Sequence, residues 1–428
     1  MRILIQAARI VDPQSPFHNQ VVDLLIDNGL IRQIGNSLEA DDTVTVLQHE
    51  GLCVSPGWVD LRVGIKDPGY EYKEDLTTTC QAAAIGGFTD IAVLPNTKPA
   101  LDSKGTIAYV RQSALGQPVT VHPIAAVTKG AEGKDFTEMI DLHHAGAVAF
   151  SDGEHPLSNA DLLLKTLQYL QPFNGLLMNR PEEQSLTLFG QMNEGLTSTL
   201  LGMKGMPAVA EEMMIERDLR LLAYLHPHLT VQPSGTVLHF STLSTARSVE
   251  LIRQAKAQGL PVSCDVAAHQ LAFDDSALVE FDTNLKVNPA FRTSADVQAL
   301  KEGLVDGTID ALVSDHNPQD EESKNLEFDM AEFGIIGLET AFAVARTYFP
   351  QFALEQLIDK LTHQPRQILR LPASVIAENG PATLTLFDPN REWLFERTVS
   401  PAKNSPFLGK PLTGKALWTI NKGHLTHT

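Results

Sequence analysis

Apolar residues fall near alternate positions over the first fifty residues: Ile3 and Ile5, then Val21, Leu24, Ile26 and Ile31. That spacing predicts short strands with one buried face. Asp27-Asn28-Gly29 separates two of these runs, and Asn-Gly is the dipeptide a tight hairpin turn demands. No amphipathic pattern of helical length occurs here. From about residue 55 to 370 the texture changes. Short apolar runs at 89–94, 119–125, 147–150, 236–240, 261–266 and 311–314 alternate with helical stretches such as 246–258 and 294–306. A strand–helix order repeated over some 300 residues predicts a parallel (β/α) barrel. An open doubly wound sheet is the competing architecture, but no GxGxxG opens the first strand–helix unit. Strand texture returns at 382–387, 393–399 and 416–421. The expected organisation is therefore a barrel over 55–370 and a small composite β domain built from 1–54 and 371–428.

Composition narrows the function classes. The 428 residues are 43% hydrophobic, enough for one large core beside a smaller domain. The formal net charge is −19, which argues against nucleic acid as a partner because phosphate contacts need clustered Lys and Arg. Three cysteines, Cys53, Cys80 and Cys264, are odd in number and lie far apart. Reduced, buried thiols fit them better than a disulfide framework or a zinc ribbon. MRILIQAARIVDP carries neither a long apolar region nor a small-residue cleavage site, and no apolar run reaches membrane-span length. A cytoplasmic protein without membrane contact is expected.

Barrel enzymes place their chemistry at the C-terminal ends of strands. Reading each apolar run to its end gives Arg62, Gly64 and Lys66; Asn96; Ser151-Asp152-Gly153; His239; His269 a little beyond the run at 262–266; Asn288 and Arg292; and Asp315-His316. Imidazoles, carboxylates and amides at such ends suit metal-assisted hydrolysis. His143-His144 precedes a strand on a helical stretch and reads as solvated surface. Asp320-Glu321-Glu322 reads as a loop, not a metal site.

Longer stretches carry a resemblance. PGWVDLRVGIKDPGYEYKEDLTTTCQAAAIGGFTDIAVLPNTKPALDS resembles the opening signature of the dihydroorotases. LHFSTLSTARSVELIRQAKAQGLPVSCDVAAHQL, LKVNPAFR, LVSDHNPQ, FGIIGLETAF, LTLFDPNREW and SPFLGKPLTGK resemble later family segments, in the same order. The resemblance covers nearly the whole chain. It implies a (β/α)8 TIM-type amidohydrolase barrel with a composite β domain, the interconversion of N-carbamoyl-aspartate and dihydroorotate, and a zinc centre. Carried over position by position, it makes His239 a metal ligand and Asp315 both ligand and general base. It makes Asn96, Asn288 and Arg292 substrate-site residues; His269 and His316 match as well.

Other family positions depart from the pattern. The His-x-His and following Arg at the end of the first barrel strand are Arg62, Gly64 and Lys66. The bridging carboxylate aligns with Gly153, or with Asp152 after a small shift. A further ligand histidine aligns with Arg180, and a substrate-contacting histidine with Gln319. A guanidinium has no lone pair to donate and glycine has no side chain. Zinc needs three or four donors, so no cofactor is expected. Arg62 or Arg180 is expected to turn into the barrel mouth and pair with Asp315 or Asp152.

The reading is a non-catalytic homologue acting as a structural or regulatory partner of aspartate transcarbamoylase, and itself a homo-oligomer. The alternatives are an active dihydroorotase with an atypical zinc site at Asp152, His155, His239 and Asp315, and a metal-independent binder or enzyme for another acidic ring compound.

Overall fold

The computed structural model describes residues 2–39, 43–228 and 235–428. The alternating N-terminal segment forms β1 (Arg2–Ile10), β2 (Val21–Asp27), β3 (Leu30–Gly35), β4 (Thr45–Leu47) and β5 (Cys53–Pro56). Asn28 and Gly29 take φ of 50° and 74° in the turn between β2 and β3, which is the conformation a two-residue hairpin requires. The barrel strands follow: β6 (Trp58–Val63), β7 (Phe88–Val93), β8 (Thr120–Ala125), β9 (Ala149–Phe150) and β10 (Leu177–Asn179). A short parallel pair, β11 (Met192–Asn193) and β12 (Gly205–Met206), interrupts them. The barrel resumes with β13 (Leu238–Phe240), β14 (Val262–Ala267) and β15 (Ala311–Val313). The chain ends in β16 (Leu384–Leu394), β17 (Pro411–Asn421) and β18 (His424–His427).

Eight parallel strands run in the order β15-β14-β13-β10-β9-β8-β7-β6. The ring closes where Val63 bridges His316 in parallel register and the Gly64 amide donates to the His316 carbonyl at 2.7 Å. The helices Ala246–Ala257 and Ser294–Val305 lie where helical spacing places them, each with a threonine cap, Thr245 and Thr293. Strands from both chain ends share one sheet, ordered β18-β17-β16-β5-β1-β2-β3, with β4 on β1. Trp58 joins the two bodies: fully buried, it packs on Phe88, Phe342 and Phe387 with centroids 4.7–6.1 Å away. A buried side chain of this size contributes about 1.5–3 kcal/mol or more.

Two expectations needed correction. Leu177–Asn179 is a barrel strand although its three residues are too short to register as an apolar run. Residues 393–399 do not form a strand of their own; Trp393 and Leu394 end β16, which passes Pro389 through a bulge between Asp388 and Glu392. A bulge accommodates a residue with no N–H to give the ladder.

Cys53, Cys80 and Cys264 are free and buried. No helix among the described residues is long and apolar enough to cross a membrane.

Candidate active site

The barrel mouth is spanned by alternating guanidinium and carboxylate groups. Asp60, buried in β6, accepts the Arg62 amide at 3.0 Å through one oxygen and the Ser314 amide at 3.0 Å through the other. It ties β6 to the end of β15, and burial pushes its carboxyl up to about 6. Arg62, with its side chain 1% exposed, then donates Nε to Asp315 Oδ1 at 2.8 Å and Nη2 to Glu154 Oε1 at 3.1 Å. Arg180, just beyond β10, donates Nη1 to the other Glu154 oxygen at 3.0 Å and Nη2 to Glu182. Glu182 also accepts the Asn288 amide at 3.1 Å. The result is a continuous chain, Asp315–Arg62–Glu154–Arg180–Glu182–Asn288.

The two acids on Arg62 are not equivalent. Burial raises both. For Glu154 the attraction of Arg62, Arg180 and Lys66 outweighs burial and holds its carboxyl below the ordinary range. For Asp315 burial wins, helped by the like charge of Glu154, and against the pull of Arg62 its carboxyl is pushed up to about 7. Asp315 also sits at φ 49°, a left-handed conformation that aims its side chain at Arg62.

The expected pairing of a mouth arginine with Asp315 is thus present through Arg62. Neither arginine pairs with Asp152. The Thr128 amide (2.9 Å) and hydroxyl (2.5 Å) satisfy that carboxylate instead, on the far side of its loop. The acid that does bridge the arginines is Glu154, two residues on.

His239 is completely buried on β13, and both of its ring nitrogens are engaged: Nδ1 with Ser263 Oγ at 2.7 Å and Nε2 with Asp265 Oδ2 at 2.8 Å. Asn96 bridges the loop after β9 by donating to the Asp152 carbonyl at 3.0 Å and accepting the Glu154 amide at 2.8 Å. Arg292 donates to Ser244 (3.0 Å), Asn193 (3.1 Å) and the Met206 carbonyl (2.6 Å). Lys66 reaches Asn317 at 2.7 Å, and Gln319 is held by Lys73 and the Phe333 carbonyl. His316 is buried against Glu74 at 2.9 Å. His269 is buried with neither ring nitrogen hydrogen-bonded. His143 and His144 are exposed on the helix Met139–Ala145.

Arg180, Glu182, Met206, Asn288 and Arg292 enclose a cavity of about 10 Å³. Among the described residues, no three His, Cys, Asp or Glu side chains are grouped to hold a metal ion.

Gly153, with which the resemblance aligns a carboxylate unless a small shift moves it to Asp152, sits at φ 64°, and a Cβ there would lie 1.8 Å from Asn96 Oδ1. Gly153→Asp is therefore expected to destabilise the fold by about 1–3 kcal/mol through backbone strain and the displaced asparagine. A melting temperature equal to the parent's would contradict that.

Glu154, Glu182 and Asp265 escaped sequence reasoning. Asp265 was visible as an acid inside an apolar run, the position at which an ionised side chain needs a partner. Nothing in local pattern points to the other two.

Comparison with known proteins agrees with the fold and specifies the family. Residues 51–231 match the family described as Dihydro-orotase-like, and residues 201–415 match the Amidohydrolase family. The chain is 39% identical over 432 residues to a dihydroorotase of Geotalea daltonii, covering 100% of this chain and 99% of the relative. It is 38% identical over 429 residues to one from Acetivibrio thermocellus, covering 99% and 98%. Among solved structures, the L-hydantoinase (dihydropyrimidinase) of Arthrobacter aurescens superposes with a TM-score of 0.84 at 21% identity, over 99% of this chain and 96% of that one. The dihydropyrimidinase of Brevibacillus agri gives 0.82 at 19%, over 99% and 95%. At those identities the likeness speaks for the barrel alone. The full-length relatives and the strand-end residues together place this chain in the dihydroorotase family of amidohydrolases.

Proposed function

We propose that this chain is a non-catalytic member of the dihydroorotase family that serves pyrimidine synthesis as a structural or regulatory partner of aspartate transcarbamoylase. The observation that carries the reading is the buried guanidinium of Arg62, held between Asp315 and Glu154. The residues at the family's zinc positions do not fit zinc. Gly64 offers no donor, and a Cβ there would meet the His316 carbonyl at 3.0 Å. His239 has both nitrogens engaged, Asp315 faces a cation, and Arg180 brings a second cation. A zinc ion needs three or four lone-pair donors without adjacent positive charge. No hydrolytic step is assigned to these side chains.

Space supports the same reading. A single water needs roughly 10–15 Å³, so the cavity between Asn288 and Arg292 holds at most one and no six-membered ring. Asn96, Asn288 and Arg292 each hydrogen-bond to protein partners, so in this arrangement they brace the mouth.

The expected results are well under one zinc per chain by elemental analysis, no rise in melting temperature on adding zinc, and no turnover of dihydroorotate. Stoichiometric zinc would overturn the reading. So would hydrolysis at an ordinary enzymatic rate of about 1 s⁻¹, which would instead support an active enzyme with an atypical metal site. Partnership is tested by size-exclusion chromatography with light scattering on the chain co-expressed with the transcarbamoylase of its own organism. A specific interface burying about 1,000 Å² or more predicts co-elution as a complex larger than either protein. Separate elution would remove the transcarbamoylase from the proposal.

A further inference from the structure

A cavity of about 330 Å³ lies where the barrel meets the β domain, away from the mouth. Its walls are aromatic and fixed. Trp393 is anchored by its Nε1, which donates to the Gly414 carbonyl at 2.9 Å, and packs edge-on against buried Phe395 at 5.8 Å. Phe342, opposite, is wedged against Trp58 at 4.7 Å. Preformed apolar walls with a few placed polar groups, at this volume and at a domain junction, are the general description of a small-molecule site.

Two of the cavity's polar groups are cationic, beside Glu339, Thr398 and Thr428. Lys415 lines the cavity with its ammonium 4.9 Å from the Trp393 ring centroid, and Arg397 lines it as well. Neither is within ion-pair distance of a carboxylate among the described residues, although the chain carries a net −19. Burial lowers the Lys415 pKa and nearby Arg391 lowers it further, with no acid opposing them. The carboxylate that also lines the cavity, Glu339, accepts from the Thr398 hydroxyl and the Val399 amide, and burial raises its pKa. The Trp393 face stabilises the Lys415 ammonium in part, but a half-buried cation without a counter-charge still gains from an anion that completes it.

We propose that this cavity binds a planar aromatic anion, its ring between Trp393 and Phe342 and its acidic group on Lys415 and Arg397. Nothing in the mouth network takes part, so the site stands whether or not the chain is catalytic.

The test uses 8-anilinonaphthalene-1-sulfonate on the full-length protein, read by its own fluorescence and by quenching of Trp393. A Trp393→Phe variant separates that signal from the other two tryptophans. One-to-one binding is expected. Lys415→Met or Arg397→Gln should weaken it about tenfold, the worth of one charge-assisted contact. Val399→Trp, at the partly exposed rim, should abolish it. The neutral ring system N-phenyl-1-naphthylamine should bind at least tenfold more weakly to the parent, a comparison that needs no variant to fold. Leu196→Ser with Leu200→Ser removes exposed apolar side chains on a distant helix and should leave affinity within twofold. The proposal is overturned if the neutral compound binds as tightly as the sulfonate. It is equally overturned if the Lys415, Arg397 and Val399 variants all bind like the parent, or if the Leu196/Leu200 variant loses the dye.

Discussion

Arg62→Met is expected to destabilise the protein by about 3–5 kcal/mol, the usual cost of removing one partner from a buried ion pair. The methionine occupies similar volume, so the loss is electrostatic: Asp315 is left without its cation, and Glu154 keeps only Arg180 in direct ion-pair contact, with Lys66 further off. The measurement is the urea midpoint at unchanged slope. Adding Asp315→Asn to Arg62→Met should recover part of the loss, because a neutral amide tolerates that site without a guanidinium. The two substitutions touch, so their effects must be non-additive. Equal midpoints for Arg62→Met and the parent would mean that the network does not hold the mouth together. Arg62→His is the informative control for function. It returns one imidazole, but Gly64 and Arg180 remain, so no dihydroorotate turnover is expected from it.

His269→Leu should make the protein more resistant to acid. His269 is buried against Phe291 with both ring nitrogens unpartnered, and burial pushes its pKa down to about 3. In the unfolded chain an ordinary histidine titrates near 6.5. Between those values the unfolded state binds a proton that the folded state refuses, so this residue's contribution is intact above pH 6.5 and is lost as pH falls. The loss is about 1.4 kcal/mol per pH unit, or about 2 kcal/mol by pH 5. The leucine variant has no proton to bind, and its melting temperature should fall less steeply from pH 7 to pH 5 than the parent's. Parallel pH profiles would show that His269 finds a proton acceptor in the folded protein.

These two residues mark different limits of sequence reasoning. Arg62 was identified as out of place because its residue type conflicts with a metal-ligand position, a property of the side chain alone. Its partners were not equally legible. Asp315 was anticipated, whereas Asp152 was anticipated and is occupied by Thr128, and Glu154 takes its place. Acids two residues apart in one loop differ in local pattern by nothing. Which of them faces the barrel axis depends on the left-handed turn at Gly153 and on the two hydrogen bonds of Asn96. His269 was noted only as a strand-end imidazole; its lack of partners is a property of the side chains packed around it.

The architecture is legible in local pattern. Period-two alternation at the start, short apolar runs spaced by helices through the middle and strand texture at the end are each set by neighbouring residues, and each survives in the fold except for a separate strand at 393–399. The sequence by itself also determined that positions 62, 64 and 180 cannot supply lone pairs to a metal, because donor capacity belongs to the residue type. What those residues do instead emerges from contacts between distant parts of the chain. Arg62 and Asp315 are 253 residues apart and meet because β6 closes the ring against the end of β15. His239 meets Asp265 and Ser263 because β13 and β14 lie in parallel register. The volume of the cavity between Arg180, Asn288 and Arg292, about 10 Å³, likewise depends on segments brought together from across the chain. Pairing and volume are sums over distant chain segments, and no window of sequence contains them.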